Sequence, residues 1–301
     1  MRYSMFFVVF WALVSAVSVC ARAGEPPVSA YCVDIDTDTV FCEENADIER
    51  PPASMVKMIL MLLVAEGVDE GKWTLERTMI ISKHSQEMGG TQIWLKEGSV
   101  QRLSFLMEAI AVASANDAAM AVAEGLWGSE DKYLEKANAR MAELGMTHTK
   151  FNSVHGLPPR GNGKDPDKTT ARDMAILAKA CVAHPIILKW TSQTEFRCEP
   201  DGPIVAHNTN KLLTELDGCD GLKTGYIRDS MHCVTATVKR SGHRLVAVVM
   251  GGESSRARFD KAKQMIEDGF KKIAETPEPV PATSASGADS PPPESTEVSG
   301  A

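Results

Sequence analysis

Two stretches of strand-like patterning lie near opposite ends of this chain, and the helical patterning lies mostly between them. Tyr31 to Ile35 and Thr39 to Cys42 flank the turn residues Asp36-Thr37-Asp38, which predicts a short hairpin. Met231 to Lys239 alternates, with Val234, Ala236 and Val238 on one face. Leu245 to Met250 is continuously apolar, as in a strand covered on both sides, and Ser241-Gly242 supplies the turn between the two. Helical periodicity runs from Met58 to Val64, from Leu103 to Trp127 with a break at Ser114-Ala115-Asn116, from Ser129 to Leu144 ending at Gly145, and from Thr170 to Ala183 ending before Pro185. A last helix, Ser255 to Ile273, sets Met265, Ile266, Gly269, Phe270 and Ile273 on one stripe that should pack on the sheet. Strands that must meet from both ends of a chain, with helices between, predict an α+β fold: an antiparallel sheet built from the two chain ends, flanked by helices, with a helical lobe inserted in the middle. Thr78 to Ile81 adds a short strand, and Gly156 to Lys168, rich in Gly, Pro and charge, reads as a surface loop.

The 301 residues, 44% hydrophobic, are ample for one large core. Three segments follow. Residues 1–23 carry Arg2, an apolar run from Met5 to Val19 and Ala21-Arg22-Ala23, the three parts of an export signal; the run falls short of the roughly 20 residues a membrane span needs. Residues 24–273 are the folded domain. Residues 274–301 are rich in Pro, Ser and Glu with no basic residue, so they are expected to be disordered and to provide no membrane anchor. The protein is therefore expected to be exported, to a periplasmic, cell-wall-associated or extracellular place. A net charge of -8 excludes the basic face that nucleic acid would require.

Loss of Cys20 with the signal leaves Cys32, Cys42, Cys181, Cys198, Cys219 and Cys233, an even number in an oxidising compartment. Cys32 with Cys42, on the two arms of the first hairpin, is the first candidate pair and Cys198 with Cys219 the second; buried unpaired cysteines are the alternative. No C-x-x-C occurs, His155 and His207 lack metal-ligand spacing, and neither metal nor cofactor is called for.

Pro51-Pro52 pre-sets a helix entry at Ser54, and Lys57 follows one turn later on the same face. Desolvated among Met55, Met58 and Ile59, a lysine there can lose its charge and take the serine's proton, which makes a Ser-Lys nucleophile pair. The same residues also read as an N-cap serine and a surface lysine, and alone they do not decide. Ser114-Ala115-Asn116 and Gly221-Leu222-Lys223-Thr224-Gly225 complete the picture, at separations of 60 and 109 residues. S-x-x-K, S-x-N and K-T-G in this order form the motif set of penicillin-binding proteins and serine β-lactamases. At this point the chain resembles the D-alanyl-D-alanine carboxypeptidases, the low-molecular-mass penicillin-binding proteins of peptidase family S11, over roughly Ser29 to Ile273. Asn45-Ala46-Asp47, Gly89-Gly90-Thr91, Thr170 to Ala175, Asn208 to Leu213 and Met250-Gly251-Gly252 look like family signatures in family order.

The resemblance implies the serine β-lactamase/transpeptidase-like fold and gives each residue a role. Ser54 would be the acylated nucleophile, Lys57 its base and Ser114 a proton relay to the leaving group. Asn116 would hold the substrate backbone. Lys223 would keep Lys57 deprotonated by like-charge repulsion, and Thr224, with Arg258, would hold the terminal carboxylate. The amides of Ser54 and Tyr226 would form the oxyanion hole, and Gly225 would leave room for a substrate strand. The implied partners are peptidoglycan stem peptides, with β-lactams as covalent inhibitors. The implied reaction is removal of the terminal D-alanine; cleavage of cross-links as a D,D-endopeptidase, or a non-catalytic peptidoglycan-binding or β-lactam-sensing role, are the alternatives. No E-x-x-L-N is present to supply a deacylating glutamate, and Tyr226 stands where the family often has histidine.

Overall fold

The computed structural model describes residues 28–275, apart from 160, 162, 164 and 199–203. The export signal, and the tail from residue 276 on, therefore lie outside the described residues. The elements in chain order are β1 (Ser29–Asp34), β2 (Thr39–Glu44), a single 3-10 turn (Ala53–Val56), α1 (Lys57–Asp69), β3 (Thr78–Ile80), α2 (Lys83–Gln86), β4 (Val100–Arg102), α3 (Leu103–Val112), α4 (Asn116–Trp127), α5 (Glu130–Glu143), α6 (Ala171–Val182) and α7 (Pro185–Thr191). They continue with β5 (Glu195–Cys198), β6 (Ile204–His207), α8 (Leu212–Glu215), β7 (Cys219–Ile227), β8 (Met231–Arg240), β9 (His243–Gly252) and α9 (Ser255–Glu275).

The antiparallel sheet joins both ends of the chain as expected. Its order is β2-β1-β9-β8-β7, so β1, from the start, pairs with β9, from the end, in register from Ser29 opposite Met250 to Asp34 opposite Leu245. The β8–β9 turn forms because Ser241 and Gly242 both take positive φ, the primed turn that matches strand twist. One face of the sheet is closed by α9, through Phe259, Ala262, Met265 and Ile266 against Ala30, Cys32, Val234, Ala236, Val238, Leu245, Ala247 and Val249. The other face meets α1 and the inserted lobe of α3 to α7, where Met55, Met58 and Met61, at helical spacing, are core residues. The helix caps follow the sequence: Ser129 and Thr170 accept from the amides of Lys132 and Asp173.

Several expectations need refinement or correction. Ser54 stands at the helix entry as expected, and the entry is a single 3-10 turn directly before α1, with Ala53 at φ 50°. Pro185, read as a stop, is also the first residue of α7, where a missing N–H is harmless. The K-T-G segment lies inside β7, which precedes the β8–β9 hairpin and pairs antiparallel with β8. Helix α9 runs two residues past the predicted boundary, through Ala274 and Glu275. Cys32 and Cys42 stand opposite each other across β1 and β2, yet both are free thiols, as is Cys219; the side chain of Cys198 lies outside the described residues. Cys32 instead turns under α9 with its Sγ 3.7 Å from the Met265 carbonyl, where burial pushes its thiol up to about 12.

Candidate active site

The nucleophile turn is wedged between two glycines. A Cβ on Gly225 of β7 would lie 2.5 Å from the Pro52 carbonyl oxygen and 3.2 Å from the Ser54 nitrogen, and one on Gly156 would lie 2.1 Å from the Ala53 carbonyl oxygen. Both positions therefore let backbone approach backbone at the serine. The Gly156 to Lys168 stretch, read from its composition as a surface loop, is exposed at Pro158, Pro159, Asp165 and Pro166, while its two ends are tied in at the site. Asp167, buried, accepts from the Asn152 and Ser153 amides and the Ser153 hydroxyl, and Ser153 Oγ accepts from the Gly156 amide.

Lys57, the first residue of α1, is fully buried. Its Nζ stands 3.0 Å from Ser54 Oγ, 2.8 Å from Asn116 Oδ1 and 3.0 Å from the His155 carbonyl oxygen. The last two partners can only accept, so they take two N–H donors; Ser54 Oγ alone can donate as well as accept. A neutral amine fits this set completely, giving both its protons to the fixed acceptors and aiming its lone pair at the Ser54 hydroxyl. Burial first, and the Lys223 charge second, hold Lys57 well below the ordinary lysine value, against partial opposition from Asp167 and Asp117. Lys223 is buried on β7 with Nζ 3.2 Å from the Thr224 carbonyl oxygen; burial and then Arg258 bring it down to about 7.

Ser114 and Asn116 occupy the break between α3 and α4. Ser114 takes φ 61°, which turns the chain so that Asn116 can start the next helix. Asn116 is fixed on three sides: its amide donates to Thr91 O at 2.8 Å, its Nδ2 to Gly89 O at 2.7 Å, and its Oδ1 receives Lys57. The Ser114 hydroxyl takes no part in the Lys57 set. Thr224 faces Thr209, Oγ1 to Oγ1 at 2.5 Å. Tyr226 projects a ring that is 57% exposed and stacks on His232 at 4.3 Å between centroids. Arg258 is buried, and its Nη1 donates to the carbonyls of Gly225 and Cys233 while Nη2 donates to Ser255 Oγ. It braces β7 and β8 from inside the protein, and its Nε is buried without a partner among the described residues.

The structure thus joins Ser54, Lys57 and Asn116 in one hydrogen-bonded set, with Gly225 against the Ser54 turn and the Lys223 charge acting on Lys57. Four further contributors had been given no role at the site. His155 acts through its carbonyl, which no side-chain argument finds. Thr209 lies in the Asn208 to Leu213 signature, and only the fold sets it against Thr224. Asp117 is buried in the first turn of α4, where its carboxylate takes the amides of Ile93 and Leu95; an acid among Ala118, Ala119 and Met120 was the available signal. Gly156 could have been suspected from its place beside His155 in an otherwise charged loop.

Comparison with known proteins extends the picture. The D-alanyl-D-alanine carboxypeptidase family, Peptidase S11, matches residues 23–254. The D-alanyl-D-alanine carboxypeptidase DacF of Bacillus subtilis is 35% identical over 251 residues, covering 83% of this chain and 63% of that protein. DacC of Escherichia coli, of the same description, is 29% identical over 267 residues, covering 86% and 63%. The chain thus spans less than two thirds of the length of either relative. Among solved structures, penicillin-binding protein D2 of Listeria monocytogenes in its ampicillin-bound form aligns with a TM-score of 0.71 at 26% identity, covering 80% of this chain and 96% of that one. With the family match running through S-x-x-K, S-x-N and K-T-G alike, this chain belongs to the D-alanyl-D-alanine carboxypeptidases of peptidase family S11.

Proposed function

We propose that the protein is a serine-type D-Ala-D-Ala carboxypeptidase that removes the terminal D-alanine of peptidoglycan stem peptides through an acyl-enzyme. The observation that carries this is the Lys57 hydrogen-bond set, in which two obligate acceptors leave the amine's lone pair to Ser54. Ser54 Oγ attacks the carbonyl of the penultimate D-alanine while its proton passes to Lys57 Nζ. The amides of Ser54 and Tyr226 receive the charge that develops on the carbonyl oxygen; the contact of Gly225 with the Ser54 turn supports their convergence. The C–N bond then breaks, and the leaving amine takes a proton from Lys57 through the Ser114 hydroxyl. Water hydrolyses the ester, the shortened peptide departs, and Ser54 recovers its proton. Asn116 and the β7 edge hold the peptide backbone, and Thr224, supported by Thr209 and Lys223, holds the terminal carboxylate. Arg258 serves that carboxylate by fixing the Gly225 carbonyl and adding positive field.

A β-lactam opened by Ser54 leaves its amine tethered, and without a dedicated deacylating glutamate the ester persists. On this reading residues 24–273 hold the activity, after an export signal over 1–23 and before the tail 274–301, and the enzyme works at the cell wall. The test is the intact mass of the mature protein and of Ser54→Ala after benzylpenicillin, with D-alanine release from a pentapeptide measured in parallel. A lasting adduct and D-alanine release, both absent in Ser54→Ala, are expected. Penicillin consumed without an adduct would make it a β-lactamase, and neither adduct nor release would make it a binding protein.

A further inference from the structure

Trp94 combines two features that each work against stability. Its indole is 69% exposed, and its backbone sits at φ 62°, a left-handed conformation that bulky residues rarely take. Its neighbours Ile93 and Leu95 are buried, and both give their amide protons to Asp117. Asp117 is itself buried and follows Asn116, which holds the same loop at Gly89 O and Thr91 O. The residues that set the cleft therefore also force this one ring outward. A strained backbone held by surrounding bonds points toward function.

The loop that carries the ring is tied to Asn116 at Gly89 O and Thr91 O. Trp94 is three residues from Thr91, so its Cα lies within about 11 Å of the Asn116 contact. On the proposed reading, Asn116 holds the substrate upstream of the scissile bond. A stem peptide extended at roughly 3.3–3.6 Å per residue brings its sugar-bearing end about 10–15 Å upstream, a distance comparable to the reach from Asn116 to Trp94. The flanking exposed side chains are polar, and Ile80 and Val100, the other strongly exposed apolar residues of this lobe, pair with each other across β3 and β4. A single flat ring with a polar border suits a ligand with one apolar face and a hydroxyl rim.

We propose that Trp94 is a stacking platform for the pyranose ring joined to the stem peptide, so that the enzyme distinguishes sugar-bearing substrate from free peptide. This rests on the carboxypeptidase reading for the direction of the peptide.

The test is a binding titration in the full-length Ser54→Ala protein, comparing a disaccharide-pentapeptide with the same pentapeptide lacking sugar. The parent is expected to favour the sugar-bearing ligand by roughly three- to tenfold, the scale of one aromatic stacking contact. Trp94→Gly, which suits the left-handed backbone and removes only the ring, should abolish that preference, and Trp94→Phe should restore most of it. Equal affinity for the two ligands in the parent, a preference that survives Trp94→Gly, or equal weakening of both ligands would each overturn the proposal. Penicillin acylation of the Ser54 protein is scored separately. Its failure would sink the carboxypeptidase reading, whereas the sugar preference is read in a protein without the nucleophile.

Discussion

The two faces of the central sheet are buried to the same degree and hold different things. On β8, Val234, Ala236 and Val238 turn to α9, while Cys233, Thr235 and Thr237 turn to the other side; all six are buried. Apart from the buried Arg258 near the start of α9, the α9 face is dry, an interlock of Val, Ala, Leu, Phe, Met and Ile with Cys32. The opposite face also buries Lys57, Asn116, Asp117 and Lys223, and even its threonines are engaged, Thr235 Oγ1 at 3.4 Å from Met55 Sδ and Thr237 Oγ1 accepting from Arg244. Desolvating two amines works against folding. A sheet whose far side is conventional core can carry that cost, and the site gains amines whose pKa values fall toward neutrality. Stability and chemistry are thus divided between the faces of the same strands.

The largest expected effect separates them from the site side. Lys57→Met keeps the length of the side chain and removes the amine. Loss of the base should lower D-alanine release and penicillin acylation by 10³-fold or more, on the order of general-base removal. Global stability should move by less than about 2 kcal/mol, because the relief of a buried amine offsets the loss of its bonds to Asn116 Oδ1 and the His155 carbonyl. Steady-state kinetics beside a urea melt measures both, and unfolding of Lys57→Met by several kcal/mol would break the division. Ile266→Ala makes the opposite test on the α9 face. Ile266 is fully buried, so truncation should lower stability by about 2–5 kcal/mol. Activity per folded molecule should stay the same; a matching fall would mean that the dry face also positions the site.

A smaller effect concerns pH. Lys57 must be neutral to act, so acylation falls as pH drops through its pKa. The Lys223 charge makes protonation of Lys57 harder, which holds that limb at low pH. Lys223→Met removes the repulsion, raises the Lys57 pKa and moves the acid limb to higher pH. Lys223 itself loses its proton at about 7. The wild type should therefore show a falling limb beginning near neutrality that the variant lacks. Acylation rates from pH 5 to 10 measure both limbs, and an acid limb that stays in place would remove Lys223 from the tuning of Lys57.

The dry face was the more legible of the two in the sequence. Alternation at Val234, Ala236 and Val238 and the stripe through Met265, Ile266 and Gly269 record burial directly, since each position repeats one instruction. The site face was legible only where its residues are close in sequence, as Ser54 and Lys57 are. β7 carries Gly221 and Gly225, which weaken a strand signal; its strand state comes from pairing with β8, a tertiary gain that overrides local propensity. The Gly156 to Lys168 loop was legible as exposed chain, but the backbone contacts of His155 and Gly156 that tie its start to the nucleophile turn were not. The Cys32 and Cys42 hairpin was read correctly, but opposition across two strands does not decide whether a bond forms. Arg258 was given a role from resemblance, and its packing against the Gly225 carbonyl was invisible without the fold.

The smallest effect lies at the rim of the α9 face. Lys261 of α9 donates to Glu44 of β2 at 2.7 Å, with both side chains more than a third exposed or nearly so. The Glu44 hydrogen bond raises the lysine's pKa, so its stabilisation is fully present below the ordinary lysine value near 10.4 and is lost as pH rises through the folded value. At neutral pH the pair is therefore formed, but water and salt screen it. Lys261→Ala should lower stability by no more than about 1 kcal/mol, and the deficit should shrink further in 1 M salt. Urea melts of the two proteins at low and high salt measure this. A deficit as large as that of Ile266→Ala, unmoved by salt, would mean that the lysine stem packs as part of the core and that the dry face reaches out to the sheet edge. A small, salt-sensitive deficit would confine that face to its apolar interior, which is what allows the edge strand β2 to bear charge without weakening the sheet beneath the site.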